Sequence, residues 1–363
     1  MITRATLGRY IAGRSLRGIG LAFLIVTAII TLVDYVEGSR NLGADAALSP
    51  LQMLGLTALK VPKLIEQTVP FVVLFGVMGA LSGMNRRSEL TVMRAAGLSA
   101  WRFLRPALIV AALIGILWST VVNPVASRMI GEYETRSSQI TGNVQTDEIW
   151  LREGSDTAQR VIQAGSLDIL GKKLNAPTFY EMRVEIDGTT TFERRFDATT
   201  AVLLTPGYWT LVDVIENAPG EPTKRTELIT LPTNIAIEDL REQSGQRVSP
   251  PFWEIRSEIA ANEQAGFSAR ELRLQLHKLL ALPFLLVAMT FIAAGVSMRS
   301  VRSGGTLRLL VTGAVLGFAV FFADSVITAF GEVSILPVAL AAWTVPALVL
   351  FLAISHLARI EDG

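Results

Sequence analysis

The sequence predicts an α-helical membrane protein with six transmembrane helices and an inserted all-β, jelly-roll-like periplasmic domain. Half of the 363 residues are hydrophobic and the mean hydropathy is +0.44, far above that of a soluble domain. Six apolar runs are each long enough to cross a bilayer. Between the third and fourth runs, about a hundred residues instead alternate polar and apolar types between turn signals, as β-strands do.

The six predicted spans run alternately outward and inward. They are Ile19–Val36, Gln67–Met84, Phe103–Val122, Leu279–Met298, Leu309–Phe330 and Pro337–Leu357. The first run is long for a signal sequence and no small-residue cleavage site follows it, so we expect a retained span. The segment Leu51–Glu66 carries charges and prolines ahead of the second span, and we expect it near the outer interface.

The second and fourth spans carry a faint internal repeat. Val69-Pro70-Phe71 and Leu282-Pro283-Phe284 each enter an inward span, and each proline precedes an arginine by sixteen residues. This pattern suggests two three-helix halves on either side of the β insert.

Turn signals and period-two alternation divide the insert into at least six short strands, which fit a sandwich or jelly roll. The candidates are Glu148–Leu151, Arg160–Gln163, Thr178–Val184, Thr190–Thr199, Tyr208–Ile215 and Thr226–Leu231. Polar helices are expected on both sides of the insert.

The distribution of positive charge predicts the orientation. Thirteen arginines or lysines fall in the segments assigned to the cytoplasm, against three in the two short outer loops. Both termini are therefore expected inside, and the β insert outside, in the periplasm of a bacterial inner membrane. The expected division is residues 1–135 with three spans, 136–248 with the β domain, and 249–363 with a connecting helix and three spans.

A basic loop between the second and third spans contains a predicted short helix, residues 88–97. Ser88 is a suitable N-cap and Gly97 a suitable C-cap, while Leu90, Met93 and Arg94 share a face. Such a helix can dock on a cytoplasmic partner, or it can merely bridge the two spans.

Chemistry of its own is not expected of this chain. It has no cysteine, no phosphate-binding loop and no His-Glu-x-x-His or Gly-x-Ser-x-Gly motif, so we expect no catalytic residue, metal or cofactor. His277 lies near an outer helix end, where an interfacial role is expected. The net charge of +1 favours no nucleic-acid partner. A transporter of this kind would take its energy from another protein.

Four segments together resemble a known family. The run Arg87–Gly97, the segment Val33-Asp34-Tyr35-Val36-Glu37, the triplet Val61-Pro62-Lys63 and the pair Asn123-Pro124 are similar to the LptF/LptG permeases of lipopolysaccharide export. The resemblance extends over the whole chain, and the end of the first span is more like the LptG branch than the LptF branch.

The resemblance implies a multi-protein exporter. Its expected partners are an LptF-like permease, a dimer of the LptB-like ATPase that binds ATP, and LptC-like and LptA-like periplasmic proteins. The short helix would couple to the ATPase through Glu89, with Ser88, Leu90, Met93 and Arg94 around it. Alternatively, Glu89 pairs only with Arg86 or Arg94 on its own helix.

The resemblance also implies a lipopolysaccharide site with cations at the outer rim and apolar walls. The candidates for contacts to phosphates are Lys63, Lys60, Arg40, Arg128 and Arg136, although each fits a snorkelling or solvated role as well. Thr31 and Leu32 stand where relatives carry a lysine. Asp324 is a candidate for a gate or for helix pairing. Apolar interior candidates in the β insert, which core packing alone also explains, are Ile149, Val161, Phe179, Phe192, Phe196, Trp209 and Leu211.

Two other functions fit the same residues. A membrane-anchored assembly protein could use the β domain to bind a periplasmic partner without transport. A permease of this architecture could also carry a different lipid, because apolar walls do not specify a head group.

Overall fold

The computed structural model describes most of the chain and divides it into two compact units. The described residues are 4–42, 49–140, 149–154, 158–168, 172–184, 190–204, 207–233, 235, 250–264, 268–299 and 306–362. One unit, here called the helical unit, comprises Met1–Gly43, Leu48–Ile130 and Pro250–Gly363. The other, mainly Gly131–Ser249, contains the β insert.

Ten α-helices and one π-helical turn are present in the described ranges. They are α1 (Arg4–Leu42), α2 (Pro50–Glu66), α3 (Val69–Arg86), α4 (Glu89–Ala95), α5 (Ala100–Leu117), the π turn (Trp118–Val122), α6 (Asn123–Ile140), α7 (Ile255–Gln264), α8 (Arg270–Arg299), α9 (Thr306–Glu332) and α10 (Val338–Asp362). Six helical stretches are long and apolar enough to span a membrane: α1, α3, α5 with its continuation, α8, α9 and α10. The six predicted spans are confirmed.

The centre of the helical unit is formed by α3 and α8. Their most apolar windows are 61% and 56% buried within the chain, against 11% for α1 and 17% for α9. These two central helices are the segments that carry the faint repeat. The outer helices expose apolar side chains, as expected of surfaces that face lipid or another membrane helix.

Glycines allow the helices to approach closely at two crossings. A Cβ at Gly18 of α1 would overlap the carbonyl oxygen of Gly76 of α3, and a Cβ at Gly76 would overlap the backbone of Ile19. Where α5 crosses α8, a Cβ at Gly115 would overlap the backbone of Pro283. Small residues bring backbones together in this way in membrane proteins.

Polar side chains tie the ends of the central helices together. At one end, the Asn85 amide donates to the Ser297 carbonyl at 2.9 Å, joining α3 to α8. At the other end, the Ser119 hydroxyl donates to the Leu279 carbonyl at 2.7 Å, joining the π turn to α8. These bonds satisfy polar groups that an apolar environment would otherwise leave without partners.

The β insert is a single antiparallel sheet of eight strands. They are β1 (Ile149–Gly154), β2 (Ala158–Ala164), β3 (Ser166–Asp168), β4 (Lys173–Asn175), β5 (Thr178–Val184), β6 (Thr190–Leu204), β7 (Tyr208–Asn217) and β8 (Lys224–Pro232). The pairing order is β1-β2-β5-β6-β7-β8, and the hairpin β3-β4 pairs beside β5 along the same edge of β6. All six predicted strands are confirmed, whereas the two three-residue strands were too short to predict.

The sheet curls into a half-barrel. Arg160 of β2 bonds Glu153 of β1 at 2.6 Å and also reaches the carbonyl of Pro232, at the end of β8, at 2.7 Å. Thr233 donates to Glu153 as well. These contacts bring the two ends of the sheet towards each other, so one face becomes concave and apolar.

The interior predictions for this sheet are partly correct. Phe179, Phe196, Trp209 and Leu211 are buried, as predicted, in the core of the concave face. Phe192 is 49% exposed, so its prediction is wrong. Val161 was also wrong, because its neighbour Ile162 is the residue that lies opposite Phe179 and is fully buried. The side chain of Ile149 lies outside the described residues.

The inward-facing positions change halfway along β6 and β7. On β7, Trp209 and Leu211 face the core, but the next inward residue is Val214, because Asp213 has a φ of +54°. The Asp213 carboxylate pairs with Arg225 of β8 at 2.8 Å. The hydrogen bond from Arg225 also keeps the pKa of that carboxyl below its usual value.

The glycine crossing gives a direct test of the helical packing. We expect Gly76→Ala to lower the melting temperature of the full chain in detergent, because overpacking costs about 1–3 kcal/mol. The control is Gly79→Ala on the same helix, where a Cβ meets nothing within 4 Å and helix propensity favours alanine. Equal melting temperatures for the two variants would contradict the close crossing.

Candidate functional site

The short helix α4 ends as the sequence predicts and begins differently. The Gly97 N–H bonds the Arg94 carbonyl at 3.0 Å and has a φ of +76°. The next N–H, of Leu98, reaches the Met93 carbonyl at 3.1 Å, which completes a glycine C-cap. The N-cap prediction for Ser88 is wrong: its φ is +59° rather than extended, and its hydroxyl makes no capping bond.

The faces of α4 are clearly distinguished by burial. Leu90 is only 3% exposed and belongs to the core of the helical unit, and Met93 packs partly against that core. They therefore anchor α4 to its own chain. Val92 is 66% exposed and Arg94 is exposed, so both lie on the outward surface of the helix.

Glu89 connects α4 to the first helix. Its Oε2 accepts a hydrogen bond from the hydroxyl of Tyr10 on α1 at 2.9 Å. The bond lies at the surface, so its net contribution to stability is about 1 kcal/mol. Its structural effect is that α4 and the first turns of α1 are held together at the end of the helical unit where the arginine-rich loops lie.

At the opposite end, α2 presents two of the predicted cations. The helix starts with a capping box in which Ser49 and Gln52 satisfy each other's backbone N–H groups at 2.9 and 3.3 Å. Near its other end, Lys60 bonds Asp34 of α1 at 2.6 Å. Asp34 is nearly buried, so Lys60 supplies the charge that its carboxylate needs in an apolar setting.

The third span accommodates Pro124 by a local change from α-helical to π-helical geometry. Pro124 has no N–H, and its ring would clash with the Thr120 carbonyl in a regular α-helix. The π turn lies directly before this position, and it opens the helix there. The Thr120 carbonyl instead accepts the indole N–H of Trp253 at 2.9 Å.

A chain of polar contacts runs from Lys63 into this break. Lys63 bonds Glu66 at 3.1 Å, one turn further along α2. The carboxylate of Glu66 accepts the Asn123 amide at 3.2 and 3.3 Å. The amide oxygen of Asn123 then accepts the backbone N–H of Phe252 at 3.1 Å. Both bonds fix the orientation of the Asn123 amide, because a flip would point its oxygen at the carboxylate.

The other predicted cations are placed separately. Arg40 lies exposed near the end of α1, and Arg128 is exposed on α6, five residues beyond Asn123. Arg136 belongs to the unit that contains the β insert and pairs with Glu132 at 2.8 Å on the helix surface. The structure therefore brings Lys60 and Lys63 together on α2, and places Arg40 on α1 and both Arg128 and Arg136 on α6.

Asp324 has a cationic partner. Lys278 of α8 lies 3.2 Å from the Asp324 carboxylate on α9 and also donates to the Thr328 hydroxyl at 3.1 Å. The neighbouring His277 accepts the indole N–H of Trp343 on α10 at 3.3 Å. These contacts join α8, α9 and α10 near one end of the helical unit.

Sequence reasoning missed four residues of these two sites. Tyr10 and Trp253 gave no local signal, since their partners lie far away in the chain, and the contact of Glu66 with Asn123 spans 57 residues. Asn123 was noted only as part of an Asn-Pro pair that closes a span. The proline was the usable clue, because it predicts a carbonyl four residues earlier that needs another donor.

Among the described residues, no three His, Asp or Glu side chains are grouped in a way that could hold a metal ion. The arrangement offers charge pairing, docking surface and a linked set of hydrogen bonds.

Comparison with known proteins gives a coherent result. A family model described as "Lipopolysaccharide export system permease LptF/LptG" matches residues 9–359. A relative from Haemophilus influenzae, "Lipopolysaccharide export system permease protein LptG", is 28% identical over 164 residues, or 45% of this chain. The chain covers 39% of that relative's length. Because the family model extends over almost the whole sequence, this multi-pass membrane protein belongs to the LptF/LptG family.

Proposed function

We propose that this chain is the LptG-like permease subunit of an ABC exporter that extracts lipopolysaccharide from the inner membrane. A separate ATPase supplies the energy, and a periplasmic bridge receives the lipid. The observation that carries this proposal is α4, a short helix anchored by Leu90 with Val92 and Arg94 exposed, in a chain of the LptF/LptG family.

In this proposal α4 is the contact to the ATPase. Its exposed valine and arginine offer one apolar and one charged contact to a cytoplasmic groove. Because the Tyr10–Glu89 bond joins α4 to α1, a displacement of α4 acts directly on α1. A movement of α4 on docking is thereby transmitted to a transmembrane helix through a direct contact, not through a flexible loop.

The lipid is proposed to bind at the other end of the helical unit. Lys63 is the principal candidate for a phosphate contact, because its side chain is about one-third exposed and can reach a head group. Lys60, Arg40, Arg128 and Arg136 are the further candidates. The concave apolar face of the β insert, around Phe179 and Trp209, suits acyl chains.

The decisive experiment is to co-express the chain with the proteins encoded by the neighbouring genes, purify it, and measure ATP hydrolysis in nanodiscs. We expect a soluble ATPase to co-purify and lipopolysaccharide to raise its turnover. Co-purification without any lipid effect would favour the assembly-protein alternative. Equal stimulation by an unrelated anionic lipid would favour a permease for another lipid.

Charge reversal at α4 tests the coupling role. In this proposal Glu89 meets basic groups on the ATPase. We expect Glu89→Lys to lower ATPase recovery in affinity purification roughly tenfold or more, because the new lysine would repel those basic groups across the interface. Tyr10→Phe removes only the bond inside the chain, and we expect normal recovery from it. Full recovery with Glu89→Lys, at an unchanged melting temperature, would contradict a contact through this residue.

The Asp324–Lys278 pair can be tested for gating against simple helix pairing. We expect Asp324→Asn to lower the melting temperature, because it leaves Lys278 without its counter-charge inside a span. The double variant Asp324→Asn, Lys278→Gln should recover most of that loss. A stable double variant with normal lipid-stimulated ATP hydrolysis would assign the pair to helix packing, and one that has lost this stimulation would assign it to the gate.

A further inference from the structure

We propose that Glu66 is a resident counter-ion that an anionic head group must displace from Lys63. Through Asn123, this displacement loosens the segment Phe252–Trp253, where the chain returns from the β insert to the helical unit. The inference rests on the proposed function, since it takes Lys63 as a head-group contact. It adds a sensor to that function, because binding of a negatively charged head group at Lys63 changes the hydrogen bonding of the segment Phe252–Trp253, here called the linker.

The first step is competition for one ammonium group. Lys63 and Glu66 are three residues apart in the last turn of α2, and their charged atoms lie 3.1 Å apart. The lysine side chain is 31% exposed and the glutamate side chain 18% exposed, so an anion can approach the lysine from outside. A phosphate bound there would repel the Glu66 carboxylate, because both are negative.

The second step passes through Asn123, which is completely buried. Its amide donates to Glu66 and accepts from the Phe252 N–H, so one planar group couples a charged side chain to a backbone position 129 residues away. When Glu66 moves, the amide loses the acceptor that fixes its orientation. The Phe252 N–H then loses an acceptor that was held in place, because the Glu66 carboxylate is the group that orients the Asn123 amide.

The third step is the response of the linker. The Trp253 ring is 66% exposed, yet its indole N–H is bonded to the Thr120 carbonyl beside the π turn. Phe252 packs edge-on against it, with ring centres 5.1 Å apart. The segment is thus fastened at two adjacent points of the third span, Asn123 and Thr120. The outgoing connection to the β insert, α6, begins at the same Asn123.

Hydrogen exchange of the full complex in nanodiscs tests this relay. The probes are lipopolysaccharide, a zwitterionic phospholipid alone, and inorganic phosphate, and the readout is amide exchange in residues 252–256. We expect lipopolysaccharide to speed exchange at Phe252 by roughly three- to tenfold, as for the loss of one hydrogen bond. Lys63→Gln should abolish the response.

The variant Glu66→Gln removes the negative charge at Lys63 and keeps the hydrogen bond to Asn123. The glutamine side-chain oxygen can still accept a hydrogen bond from the Asn123 amide, but it does not compete with a phosphate for Lys63. We expect its half-maximal lipopolysaccharide concentration for ATPase stimulation to fall by roughly two- to fivefold, the effect of a partly exposed ion pair. Its amide exchange at residues 252–256 should no longer respond to lipid. The matched control is Glu221→Gln, which removes an acid from another pair spaced three residues apart, on the β insert.

The outcomes are distinct. Stimulation of ATP hydrolysis that requires Lys63, with unchanged amide exchange at residues 252–256, would overturn the relay and leave the proposed function intact. No stimulation by lipopolysaccharide would overturn both. A response to the zwitterionic lipid would overturn the relay, because charge would not be the signal. A response to inorganic phosphate would support it and identify the phosphate as sufficient, whereas a response to lipopolysaccharide alone would support it and require the lipid.

Discussion

A carbonyl group that loses its helical donor to a proline needs another donor, and one long-range connection of the helical unit follows from this constraint. Pro124 removes the donor for Thr120, and the indole of Trp253 replaces it. The replacement comes from the segment that returns from the β insert, so one missing N–H joins two distant parts of the chain. Asn123, the residue before the proline, then accepts the neighbouring backbone N–H.

The same reasoning applies to charge. Three acids that lie within or beside the spans have basic partners from an adjoining helix or turn: Asp34 with Lys60, Asp324 with Lys278, and Glu66 with Lys63. Buried carboxylates without such partners would be expensive. These pairs also specify neighbours, since α1 lies beside α2 and α8 beside α9. The Lys63 pair continues through Glu66 and Asn123 to the backbone of Phe252, and this connection is the basis of the proposed relay.

The sequence was sufficient for features decided by composition and local period. Apolar runs of membrane length and short alternating segments predicted the six spans and the six longer strands. Which face of a strand points inward was less predictable, and Phe192 and Val161 were misassigned. A β-bulge, or an error of one residue in the assumed alternation, moves every following side chain to the opposite face of the sheet. The contacts of Tyr10 and Trp253 were out of reach, because their partners are 79 and 133 residues away.

The left-handed backbone at Asp213 has an evolutionary consequence. It reverses the inward side of β7 while β6 makes the same change beside it, at Thr199, and the pairing register is kept on both sides of this point. A single-residue insertion or deletion in either strand would therefore turn half of that strand inside out. Length differences among descendants of this protein should accumulate in the hairpin turns, and this two-stranded ribbon should keep a constant residue count.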